Sequence, residues 1–132
     1  MRVSRCRRPR LERLVTREAI DAALMAHVQW KKRLQEAIAM RASEFTPSVV
    51  RTDDACEFGK WLHGLPPEDT RTDDYRQVEA LHARFHRIAG DTLELALAGK
   101  GDQALANLGG SAAYGDATRK LVLALQAWKT RL

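Results

Sequence analysis

From residue 16 to the C-terminus, apolar positions recur at the three-to-four-residue spacing of helices, and strand-like alternation is absent. Over residues 16–45 the pattern opens at Thr16-Arg17-Glu18, a capping residue followed by an acid that complements the helix dipole. Ile20, Leu24, His27, Leu34 and Ile38 then share one stripe. Lys31 falls in the same stripe and fits only if its stem lies over the core while its amine reaches water. Thr46-Pro47-Ser48 ends or bends the segment. A short helix is predicted from about Ala55 to Leu62, capped by Thr52, Asp53 and Asp54 and stopped by Gly64 and Pro66-Pro67.

Residues 68–98 give a second long helical pattern, with Val78, His82, Phe85, Ala89 and Ala96 on one face and His86 at its margin. Gly99-Lys100-Gly101 is a turn. From Asp102 onward Tyr114, Leu121, Leu125, Trp128 and Leu132 align, and Gly109-Gly110 is placed to kink this third pattern or split it in two. The fold class predicted is all-α: an antiparallel bundle of three long helices and one short helix.

A chain of 132 residues fits one domain with a real core. No run of 18 apolar residues spans a membrane, and no secretory signal is visible. Two cysteines, with Cys6 in a polar tail, make no disulfide framework, so a reducing cytoplasm is the expected home. The net charge of +5 resides in residues 1–15, which hold six arginines and the single acid Glu12. Residues 16–132 balance, with 16 basic and 16 acidic side chains. The chain is therefore expected to divide into a basic, disordered, solvated tail over 1–15, in which Cys6 has no visible role, and a bundle over 16–132. Nucleic acid is a disfavoured partner for that bundle.

The chemistry concentrates in four side chains. His82 and His86 are four apart, which stacks two imidazoles on one side of a helix. His27 occupies an apolar stripe, and Cys56 lies in the first turn of the short helix, where partial positive charge favours thiolate. Singly, such residues are ordinary core: a hydrogen-bonded histidine, a small hydrophobic cysteine. Together they offer the three nitrogens and one sulfur of a tetrahedral Zn²⁺ shell, and one ion would satisfy three imidazoles that are costly to bury unpaired. Asp53 or Asp54 could accept a ligand imidazole N–H, Trp30 and Trp61 would wall the site, and Trp128 is bundle core. His63 reads as a solvated residue at a helix end. Glu79-x-x-His82 is half of a di-iron motif without its second copy.

Three stretches resemble a known family, the chemoreceptor zinc-binding (CZB) domain. Cys56-Glu-Phe-Gly-Lys-Trp-Leu is similar to the family's signature. Ala26-His27-Val-Gln-Trp30-Lys-Lys-Arg33-Leu34 resembles its first ligand helix, and Leu81-His82-Ala-Arg-Phe85-His86 its paired-histidine helix. The resemblance implies a four-helix bundle with an additional short helix carrying the cysteine, and zinc ligands His27, Cys56, His82 and His86. It also implies a homodimer, and regulation of chemoreceptors or diguanylate cyclases in response to zinc or to oxidants such as hypochlorous acid. No output domain is visible in the chain.

No Ser-His-acid arrangement, glycine-rich phosphate loop or H-E-x-x-H pattern is present, and four ligands would leave no open metal position, so catalysis is not expected. The expected function is a zinc-responsive regulatory domain in bacterial signalling, with Cys56 as its redox-sensitive residue. The alternatives are a zinc-stapled interaction bundle and, behind it, a nucleic-acid binder acting through the arginine-rich tail.

Overall fold

The computed structural model describes residues 15–132. The tail expected over 1–15, with Cys6, lies outside the described residues except for Val15, which is half-buried against the core. Seven helices follow: α1 (Arg17–Met40), α2 (Pro47–Val50), α3 (Glu57–His63), α4 (Pro67–Thr70), α5 (Asp73–Leu97), α6 (Gly101–Asn107) and α7 (Ala113–Thr130). Among the described residues there is no strand, and no helix is long and apolar enough to cross a membrane.

Local chemistry accounts for the boundaries. The Thr16 hydroxyl accepts from the Ala19 amide and caps α1, and Thr72 caps α5 in the same way through Tyr75. Arg41, in the left-handed conformation at φ 55°, ends α1. The two one-turn helices α2 and α4 each begin on a proline, whose fixed φ suits a first turn. Sequence periodicity ran α4 into α5, and it read Thr46-Pro47 as a stop when it also starts α2. Between α6 and α7 the chain breaks at Leu108–Ala112, which contains the Gly109-Gly110 pair.

The buried face of α1 is Ile20, Ala23, His27, Trp30, Leu34 and Ala37. This heptad-like spacing lies slightly rotated from the predicted stripe. Ala23, Trp30 and Ala37 face inward, Leu24 and Ile38 are half-buried, and Lys31 is exposed. The rotation removes the apparent anomaly at Lys31.

Helix α5 is central: it packs most extensively on α7, and also on α1, α2 and α6. Ion pairs from the end of α7 fix direction. Lys129 reaches Asp21 near the start of α1, and Arg131 reaches Asp74 at the start of α5. Helix α7 is therefore antiparallel to both, while α1 and α5 point the same way. The connection 41–72 makes that possible by returning the chain along one side of the bundle, with α2 laid on α5 and α3 on α1. Gly90 on α5 permits the α2 contact: a Cβ there would lie 2.3 Å from Arg51 Cγ and 3.0 Å from the Pro47 carbonyl oxygen. The core then closes with Phe85, Leu93, Tyr114, Leu121 and Leu125, all buried.

Candidate metal centre

His27 enters the core from the middle of α1, His82 and His86 from successive turns of α5, and Cys56 from the residue before α3. Each of the four offers one ligand atom, and these atoms all lie within 4.8 Å of one another. The three imidazoles are at most 2 % exposed, and Cys56 is half-buried.

Backbone carbonyls orient two of the rings. His27 Nδ1 donates to the Ala23 carbonyl at 2.7 Å, one turn back on its own helix. His86 Nδ1 donates to the Val50 carbonyl at 2.9 Å, across from α2. Because a carbonyl can only accept, both rings carry their proton on Nδ1 and keep a lone pair on Nε2. His27 Nε2 is buried with no hydrogen-bond partner. His86 Nε2 and His82 Nε2 are 3.0 Å apart, and Cys56 Sγ lies 3.4 Å from His82 Nε2 and 3.5 Å from His86 Nε2. Zinc bonds of about 2.0–2.1 Å to nitrogen and 2.3 Å to sulfur, at tetrahedral angles, imply edges of about 3.4 Å between nitrogens and 3.6 Å from nitrogen to sulfur. The donor set and its spacing fit such an ion.

Aromatic rings surround the imidazoles. Phe85 and Phe58 meet His27 edge-on at 5.1 and 5.7 Å, Phe58 meets His82 at 5.1 Å, and Trp30 faces His86 at 6.4 Å. Trp61 does not reach the imidazoles. It stacks behind Phe58 and against Trp128, so the wall expected of it belongs to Phe58. A cavity of about 400 Å³, lined by Trp30, Arg33, Phe45 and Val50 among others, runs to Cys56 and His86 from outside.

Burial sets the protonation states. It lowers His27 to about 4, against the opposing Ala23 hydrogen bond. It lowers His82 to about 2, with the neighbouring His86 and His27 adding to the effect. It also lowers His86, opposed by the Val50 carbonyl and by Asp53. All three rings are therefore neutral, as a metal ligand must be. Cys56 behaves differently from the sequence expectation. It is the N-cap of α3, and its Sγ accepts from the Gly59 amide at 3.3 Å. Yet desolvation outweighs that hydrogen bond and raises the thiol above its usual value.

Asp53 and Asp54 do not cap α3, since Cys56 does. Neither orients a ligand imidazole: Asp53 Oδ2 faces His63 Nε2 at 3.4 Å, and Asp54 is exposed. Asp53 matters through its backbone. A Cβ on Gly59 would lie 1.9 Å from the Asp53 carbonyl oxygen, so only glycine lets the 53–54 segment pass over α3. The Val50 carbonyl is not legible in the sequence, where Thr46-Pro47-Ser48 reads only as a stop or a bend.

The family model of the chemoreceptor zinc-binding domain matches residues 27–93, half of the chain. The chain belongs to that family. The CZB match starts at His27 and takes in Cys56, His82 and His86. No curated protein and no solved structure matches the chain.

Proposed function

We propose that this CZB domain is a zinc-responsive regulatory module, not an enzyme, with His27, Cys56, His82 and His86 as the zinc ligands. The observation that carries the reading is the convergence of three neutral imidazoles and one thiol within 4.8 Å, in a largely buried pocket. A bound Zn²⁺ would stabilise the Cys56 thiolate and cross-link the chain. His27, Cys56, His82 and His86 then join α1, the start of α3 and α5. Helix α3 has seven residues, too few to persist alone, and its packing on α1 is slight. When the four ligands lose their common ion, α3 and the 51–56 segment are the parts free to shift. A two-state element biased by a ligand is what signalling requires.

Cys56 is the redox-sensitive residue of the proposal. Attack of its sulfur on hypochlorous acid forms the sulfenic acid and releases chloride, which leaves a weaker ligand. The cavity reaching Cys56 supplies access. The module acts as a cytoplasmic homodimer on a chemoreceptor or diguanylate cyclase output.

Chelation tests the regulatory reading against a structural staple. Removal of zinc should cost helix mainly around 51–63, seen as hydrogen exchange confined to that segment. Global unfolding would favour the staple. Hypochlorous acid should release zinc to a chromogenic chelator, and equal release from Cys56→Ser would remove Cys56 from the mechanism.

A further inference from the structure

A second group of potential ligands lies beside the first. Asp53, before α3, His63, the last residue of α3, and Glu79, on α5, offer ligand atoms all within 4.8 Å of one another. Asp53 Oδ2 is 3.4 Å from His63 Nε2. None of the three supplies a ligand atom to the buried group. The cap role that the sequence suggested for Asp53 is taken by Cys56, and His63 faces Asp53 rather than only solvent.

The charges make this cluster unusual on this surface. Two carboxylates held this close repel each other. Elsewhere such a pair shares a cation: Arg51 bridges Asp91 and Glu94. Among the described residues, no lysine or arginine forms an ion pair with Asp53 or Glu79, and the imidazole of His63 is the group that pairs with Asp53. Two carboxylate oxygens and an imidazole nitrogen are a donor set that zinc accepts.

We propose that Asp53, His63 and Glu79 form an outer, exchangeable zinc site that loads the buried one. Three protein ligands leave room for water, and the site is open, with the His63 side chain 39 % exposed. The inner imidazoles are at most 2 % exposed, and the outer group offers a second approach to them beside the cavity that reaches Cys56 and His86. The two sites share their supports. Glu79 is three residues before His82 on α5, Asp53 is three residues before Cys56, and His63 closes the helix that Cys56 opens. One turn of α5, about 5 Å, separates the Glu79 and His82 positions. An ion held outside therefore has a short path inward, and it pins the C-terminal end of α3 to α5 while it waits.

The inference rests on the zinc reading of the buried group, and the experiment separates the two. Zinc is titrated into the metal-free full chain with a competing chelator, and stopped-flow mixing follows loading of the tight equivalent. The wild-type protein, His63→Ala and Glu79→Gln are compared, with circular dichroism confirming the fold. The expected result is two equivalents in the wild type, one tight and one weaker. The variants should lose the weaker equivalent, keep the tight one, and load it about tenfold more slowly. A wild-type chain that binds a single zinc, a weaker equivalent that survives in both variants, or an unchanged loading rate would overturn the outer site. Absence of the tight equivalent in the wild type would instead defeat the reading of the buried group.

Discussion

His86 Nδ1 donates to the carbonyl of Val50, 2.9 Å away and 36 residues earlier in the chain. One hydrogen bond thus ties the ring of a candidate metal ligand to α2, a one-turn helix. It fixes the tautomer, aims Nε2 at Cys56 and His82, and makes the placement of α2 part of the metal site.

Gly90 should control that tie. Its replacement by alanine puts a methyl group 2.3 Å from Arg51 Cγ and 3.0 Å from the Pro47 carbonyl oxygen, which forces α2 off α5. Overpacking of this kind costs about 1–3 kcal/mol. Gly90→Ala should lower the thermal midpoint and weaken zinc binding together. A variant with wild-type affinity would show that the Val50 carbonyl does not matter to the site.

Gly59 gives a sharper case, because helix propensity predicts the opposite sign. Alanine inside a helix gains about 1 kcal/mol over glycine. Here the new Cβ meets the Asp53 carbonyl oxygen at 1.9 Å, and the 53–56 segment must move. Gly59→Ala should destabilise the metal-free protein and reduce zinc affinity at least tenfold. Calorimetric titration reads the affinity, and thermal denaturation reads the stability.

Acid should weaken the metal-free fold. The His27 ring takes up its proton near pH 4 in the folded chain and near 6.5 when free, because burial opposes the charge. The unfolded chain therefore gains the proton first as pH falls. The stability held by the neutral ring is complete above pH 6.5 and declines through the window down to about 4. His82 and His86, both lowered by burial, act with the same sign. Urea midpoints should fall steadily between pH 7 and pH 4.5, and zinc retention should fall with them. Flat midpoints over that range would mean that the imidazoles are not buried as described.

The exposed ion pair between Arg131 and Asp74 serves as a control. It is bidentate, at 2.8 and 2.9 Å, but it lies at the surface, where solvent screening leaves such pairs little net effect on stability. Arg131→Ala should leave zinc affinity unchanged and shift the thermal midpoint only slightly. A large loss of affinity would indicate that the far end of the bundle is coupled to the site.

Much of this arrangement is legible in the residues. Helical period marks α1, α5 and α7, and the His82/His86 spacing marks two ligands on one face. His27 stands out as a polar residue in an apolar stripe. What escapes the sequence is long-range or backbone in origin. The true face of α1 uses the small residues Ala23 and Ala37, whose weak hydrophobicity hides them from the pattern. The second partner of His86 is a carbonyl, which any residue type would supply. The Cys56 thiol was expected to be acidified by its helix end. Burial wins because desolvating a thiolate costs more than the Gly59 amide returns. Asp53, His63 and Glu79 looked unrelated because three separate segments bring them together.

Zinc X-ray absorption on the full chain loaded with one equivalent tests the central claim most directly. The account predicts one sulfur scatterer at about 2.3 Å and three nitrogens at about 2.0–2.1 Å, with the sulfur signal lost in Cys56→Ser. A first shell without sulfur, or a sulfur signal that survives that substitution, would contradict it.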